Sequence, residues 1–203
     1  MVEDTTQGVV VSEEEKKRRG FTLTEIAIVL GIIGLILGAI WVAAGAVYQN
    51  LRVSKAETEL LQITQGIRSL YGTQTTFDTA AHLLETQGLI AAKVFPSDAV
   101  QNATTVNGPW GGSTMNIYSQ TDPAGVTGDS FSVEFDNIPV SACIALATGA
   151  TGSGRDQGLI GVANQNDTIG NNVFPINVVA ATQQCQEGTP TSTISFTFTL
   201  RGD

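Results

Sequence analysis

The sequence predicts an α+β protein in which a long N-terminal helix, membrane-spanning in its first half and amphipathic in its second, packs on an antiparallel β-sheet. Three observations predict it. Ile26 to Val47 runs without a charge, and as a helix rising ~1.5 Å per residue it reaches roughly 33 Å, enough to cross a hydrocarbon core of about 30 Å. Ala56, Leu60, Ile63, Ile67 and Leu70 then recur at four-three spacing, with Arg52, Lys55, Glu57, Glu59 and Arg68 between them, the pattern of a helix with one apolar face. Near the end of the chain Ile194, Phe196, Phe198 and Leu200 alternate with Ser195, Thr197 and Thr199, the period of a half-buried strand.

Composition narrows the class further. A hydrophobic share of 42% against 14% charged suits a folded, partly membrane-embedded chain and argues against disorder. The formal charge is -9, and the basic residues gather at Lys16, Lys17, Arg18 and Arg19. A phosphate-neutralising surface is not expected, so nucleic acid is a poor direct partner. The four cations precede the apolar run while only Arg52 and Lys55 follow closely, which places the N-terminus in the cytoplasm and the rest of the chain outside.

A secretory signal peptide is the competing reading, because Ala44-Gly45-Ala46 offers a small-x-small cleavage pattern. The apolar run is longer than the usual ~7 to 15 residues of such a segment and continues into the amphipathic stripe. Gly72 is the expected helix stop. Glycines at 31, 34, 38 and 45 cost roughly 1 kcal/mol each in helix propensity relative to alanine. Gly34 and Gly38 form a GxxxG, and Gly31 with Ala27, Ala39 and Ala43 adds small surface, so helices of other molecules can approach closely. Glycine is also simply common in membrane helices.

Glu25 is the one acid at the edge of this run. A carboxylate beside hydrocarbon is costly and normally has a partner, yet no cation follows it for several turns. Cutting between Gly20 and Phe21 would create one, the amino group of Phe21. In a bundle of identical helices that amine could neutralise Glu25 of a neighbour and set the axial register. Alternatively Glu25 snorkels into head groups beside Arg18 and Arg19.

Beyond Gly72 the order is helix first, strands later. Asp78 is positioned to cap a short helix carrying Ala81, Leu83 and Leu84 and ended by Gly88. Asn107 to Gly112 is turn chemistry, with Trp110 expected as a core plug. Strands are expected at Met115 to Tyr118, at Ser130 to Asp136 and around Leu159 to Val162, the last among exposed loops, and Ser141 to Ala147 after Pro139 as a short helix. Cys143 and Cys185 either pair, if their side of the membrane is oxidising, or remain buried thiols. Paired, they would clamp that helix to the segment before the last strand.

Arg18-Arg19-Gly20-Phe21-Thr22-Leu23-Thr24-Glu25 followed by the apolar helix closely resembles the processing signature of type IV pilins. The resemblance implies a leader at 1–20, a transmembrane and filament-core helix at 21–48, its amphipathic continuation at 49–72 and a globular head at 73–203. It implies cleavage after Gly20 by a membrane aspartyl prepilin peptidase, N-methylation of Phe21, and Glu25 as the assembly glutamate. A moderately long leader, the Gly108-Pro109-Trp110-Gly111-Gly112 turn and two late cysteines look like the type IVb branch. Phe21 as first residue is typical of the a branch, whose common membrane-helix proline is absent here.

Function follows that resemblance. With His82 the sole histidine and no GxSxG, HExxH, P-loop or CxxC, neither catalysis, a metal site nor a cofactor is expected. Asp122, Asp129, Glu134 and Asp136 read as solvated acids, and Asp156 and Asp167 lack EF-hand spacing. The terminal Arg201-Gly202-Asp203 spells an integrin-type tripeptide and equally makes a solvated tail. The expected protein is a pilus subunit of the inner membrane with a periplasmic head, later in an extracellular filament that serves adhesion, aggregation, motility or DNA transfer. Its implied partners are identical subunits, the prepilin peptidase, an assembly ATPase with an inner-membrane platform protein, and an outer-membrane secretin. A minor pilin or secretion-system pseudopilin, or a single-pass anchored or secreted binding protein, are the alternatives.

Overall fold

The computed structural model describes residues 21–73, 86–121, 127–164, 173–185 and 191–201. The chain divides into two compact units at Ala44 and Gly45. Helix α1, Leu23–Tyr71, begins in the first and ends in the second. The second also holds α2 (Thr86–Ala91), β1 (Val106–Asn107), β2 (Thr114–Thr121), β3 (Thr127–Pro139), α3 (Val140–Ala150), β4 (Leu159–Ala163), α4 (Val178–Cys185) and β5 (Thr191–Thr199). The strands form one antiparallel sheet in the order β1-β2-β3-β5-β4.

The apolar stripe of α1 does what its spacing requires. Ala56, Leu60, Ile63 and Ile67 are buried in one core with Phe131, Val133, Phe135, Ile194, Phe196 and Phe198 of the sheet. Leu70 does not belong to it, being 45% exposed. Four-residue spacing from Ile67 leads to Tyr71, which does pack against the core, so the last rung of the stripe lies one residue further on. Tyr71 ends the helix and Gly72 opens a turn, as expected.

Glu59 is the other departure on this face, only 4% exposed although the stripe reading left it polar and outward. Lys55 makes its burial tolerable by reaching Glu59 at 3.5 Å and Asp98 at 2.7 Å. Desolvation still raises the Glu59 carboxyl above its ordinary value, with Lys55 pulling the other way. At the far end of the helix, Arg68 forms a two-pronged pair with Asp156 at 2.8 and 2.9 Å and donates to Thr199 O at 3.2 Å. Asp156 therefore serves as a strut between α1 and the sheet. Burial pushes its carboxyl up, and the bonds from Arg68 and Gly158 N outweigh that, leaving it below the ordinary value.

One local reading is corrected. Asp78, Ala81, Leu83 and Leu84 lie outside the described residues, and Gly88 sits inside α2 instead of ending it. The stop is Lys93, at φ 59, where Val94 N bonds Leu89 O and Lys93 N bonds Ile90 O, the paired bonds of a left-handed helix end. Helix α4 was not foreseen, although Asn177 caps it by accepting from Ala180 N at 2.9 Å. The Gly108 to Gly112 turn joins β1 to β2, with Gly112 at φ +81, a conformation that suits glycine. Trp110, 3% exposed, fills the core there and donates to Gln49 at 3.3 Å.

Strand β5 lies between β3 and β4. Phe131 faces Phe198 across the β3 pairing and Phe135 faces Ile194. The rings of Phe131 and Phe198 stack with centroids 5.7 Å apart. On the opposite face Asn116 and Thr193 donate to Asp136 at 2.7 and 2.9 Å. Glu134 stands beside Asp136, and burial, then the Asp136 charge, pushes its carboxyl up to about 7, against a smaller lowering by Tyr118. Cys143 of α3 is bonded to Cys185, the last residue of α4, with Cα atoms 5.8 Å apart.

Two outcomes are expected. Replacing both cysteines by alanine releases a loop spanning 42 residues and should lower unfolding free energy by about 4 kcal/mol on the chain-entropy account, read by urea denaturation. Native Glu134 holds its proton more tightly than the unfolded chain, so its contribution is full below pH about 4.5 and is lost as pH rises toward about 7. Glu134→Gln should therefore be more stable than the parent at pH 8 by about 1 kcal/mol, allowing for solvent at this half-exposed group, and equal to it at pH 4.

Candidate assembly interface

Among the described residues the first unit is a helix with no cover. Apolar side chains are exposed all around it, from Phe21 at 83% and Leu23 through Leu35, Trp41 and Val42. A helix hydrophobic on every side must be buried by something. Among the described residues α1 is the one helix long and apolar enough to cross a membrane. A Cβ placed at Gly31, Gly34 or Gly38 would meet nothing within 4 Å, so these backbones lie open to close approach by another molecule.

The head of the helix is built by two residues joined by three hydrogen bonds. Thr22 N and Thr22 Oγ1 both donate to Glu25 Oε2 at 2.8 Å, and Glu25 N donates back to Thr22 Oγ1 at 3.3 Å. This is a capping box, in which a threonine and a glutamate three residues later satisfy each other's free amides. The Thr-x-x-Glu spacing was legible in the sequence and went unread. It gives Glu25 a local role: its carboxylate is aimed back at the start of the helix, onto Thr22. Gly20 lies outside the described residues.

The donors on Glu25 are neutral, so hydrogen bonding orients the carboxylate without cancelling its charge. Beside lipid or apolar helices that charge calls for a cation. The acids that the sequence singled out in the second unit stand differently. Glu134 and Asp136 come together on the sheet, and Asp156 is paired with Arg68, while Asp122 and Asp167 lie outside the described residues.

A naked apolar helix headed by a capped glutamate, continuous with an amphipathic half that packs on an antiparallel sheet, defines a filament-subunit fold of the pilin class. The model of the family described as PilS N terminal matches residues 50–199, and that of the prokaryotic N-terminal methylation motif matches residues 16–41. The chain belongs to the type IV pilin family.

Relatives agree. The toxin coregulated pilin of Vibrio cholerae is 30% identical over 145 residues, covering 68% of this chain; the match spans 62% of that relative's length. The crystal structure of a type IV b pilin from Salmonella typhi superposes with a TM-score of 0.54 at 17% identity, over 70% of this chain and 97% of that one. TcpA, a type IV pilin of the Vibrio cholerae El Tor biotype, gives 0.51 at 14% identity, over 72% and 98%. At these identities the structures speak to the fold alone, and they share it.

Thr22→Val keeps side-chain shape and removes the hydroxyl that both donates to and accepts from Glu25. Amides at Leu23 to Glu25 should then exchange about fivefold faster in detergent micelles, the scale of one lost N-cap, with amides beyond Val29 unchanged.

Proposed function

We propose that the chain is a prepilin cut after Gly20, methylated at the amine of Phe21, and stacked by its apolar helix into a helical type IV pilus. The observation that carries this reading is the coincidence of an uncovered helix with one unneutralised acid pointed at its own head. Cleavage supplies a cation four residues before that acid, and stacking supplies both the cover and the neighbour. Heterologous contacts between identical subunits do not close, so they extend into a filament.

Before assembly the helix would anchor the chain in the inner membrane with its head periplasmic, and afterwards the head would face the medium. The partners of this route are the prepilin peptidase, an assembly ATPase with its platform protein, and an outer-membrane secretin. Adhesion, aggregation, motility and DNA transfer are the surface roles open to such a filament.

Mass spectrometry of the N-terminus from sheared surface material tests the reading. A chain starting at N-methylated Phe21 is expected; one starting at Met1 or Val47 contradicts it. In the same assay Glu25→Ala should be cut normally yet yield few or no filaments.

A further inference from the structure

Just past the uncharged run, α1 presents two ionic side chains with no mate among the described residues. Arg52 is exposed and follows Leu51, itself 61% exposed, at the end of the uncovered apolar surface. Its helical neighbours three and four positions away are Tyr48, Gln49, Lys55 and Ala56, none of them an acid. Glu57 is half-buried, and its neighbours at the same spacings are Val53, Ser54, Leu60 and Leu61, none of them a base.

Glu57 lines a cavity of about 190 Å³ together with Leu60, Leu61, Gly149 and Phe198. The absence of a side chain at Gly149 makes room for it, since a Cβ there would run into Glu57 Oε1. The other charges at this cavity are engaged: Arg155 lies 5.0 Å from the Phe174 ring centroid, and Asp156 is held by Arg68. Burial alone acts on the Glu57 carboxyl, raising it above its ordinary value. The subunit by itself thus carries a partly desolvated acid with open space before it, and a bare guanidinium five residues away on another side of the helix.

We propose that Arg52 of one copy pairs with Glu57 of the next copy along the stack, forming a second ionic clasp of the filament. This rests on the assembly reading above and deepens it. The two clasps agree in sense and nearly in length. Phe21 to Glu25 is a step of four residues from cation to acid, about 6 Å along the axis, and Arg52 to Glu57 is a step of five, about 7.5 Å. A single axial stagger between parallel copies serves both, the difference of about 1.5 Å lying within the reach of a flexible arginine. Arg52 also directly continues the apolar surface that the filament must cover.

Charge exchange tests the clasp in the full chain in its native cells, with sheared filament yield compared at equal membrane levels of each variant. Arg52→Glu and Glu57→Arg should each lower the yield about tenfold, and the double exchange should bring it back to within about threefold of the parent, as expected for coupled partners. Parent-like yields from both single variants, or a double variant no better than either, overturn the proposal. A chain carrying both Arg52→Cys and Glu57→Cys gives an independent readout. Within one helix these Cα atoms are about 8.6 Å apart, beyond the ~7 Å limit of a disulfide, so a bond between positions 52 and 57 joins two copies. A ladder of multimers on a non-reducing gel is expected from its filaments, absent from each single cysteine variant; monomer alone overturns the clasp. If the parent chain itself forms no filaments, it is the assembly reading that falls, and the clasp with it.

Discussion

A single carboxylate at the head of the otherwise uncharged, uncovered first half of α1 is the constraint on which the rest depends. Glu25 is tied to Thr22 by three hydrogen bonds, so its direction is fixed before any partner arrives. Orientation and neutralisation are separate requirements. The capping box meets the first with neutral donors, and a cation from elsewhere must meet the second. Because the side chains around the helix from Phe21 to Val42 are exposed and apolar, whatever covers them sets the dielectric in which that charge has to live.

The second unit solves a different problem. Its half of α1 shows one face to a sheet, and the contacts that hold it are an apolar stripe with an ionic contact at either end. Lys55 joins it to Asp98, the stripe from Ala56 to Ile67 fills the core, and Arg68 closes the end on Asp156 and Thr199. The disulfide adds a covalent link between α3 and α4, elements that precede and follow β4 in sequence.

Periodicity made much of this legible. The alternation of Ile194 to Leu200 and the four-three stripe of α1 are local patterns, and each maps onto buried residues in the structure, the stripe as far as Ile67. What the pattern could not give was pairing order: β5 inserts between β3 and β4, and no local signal carries the choice of neighbours. Gly88 misled because glycine is the common helix stop, whereas the left-handed residue here is Lys93. Glu59 misled because its burial depends on Lys55 reaching over it and out to Asp98, forty-three positions away in sequence. At the head of α1 the capping box was readable from the Thr-x-x-Glu spacing of Thr22 and Glu25.

The central claim is that Glu25 finds its cation on another copy of the chain. A high-resolution structure of the native filament tests it most directly. The account predicts the Phe21 nitrogen of each subunit about 3 Å from a carboxylate oxygen of a neighbour's Glu25, with Thr22 still donating to the same acid. A filament in which every Phe21 nitrogen stands apart from all glutamates, and Glu25 rests on Thr22 alone, would contradict it.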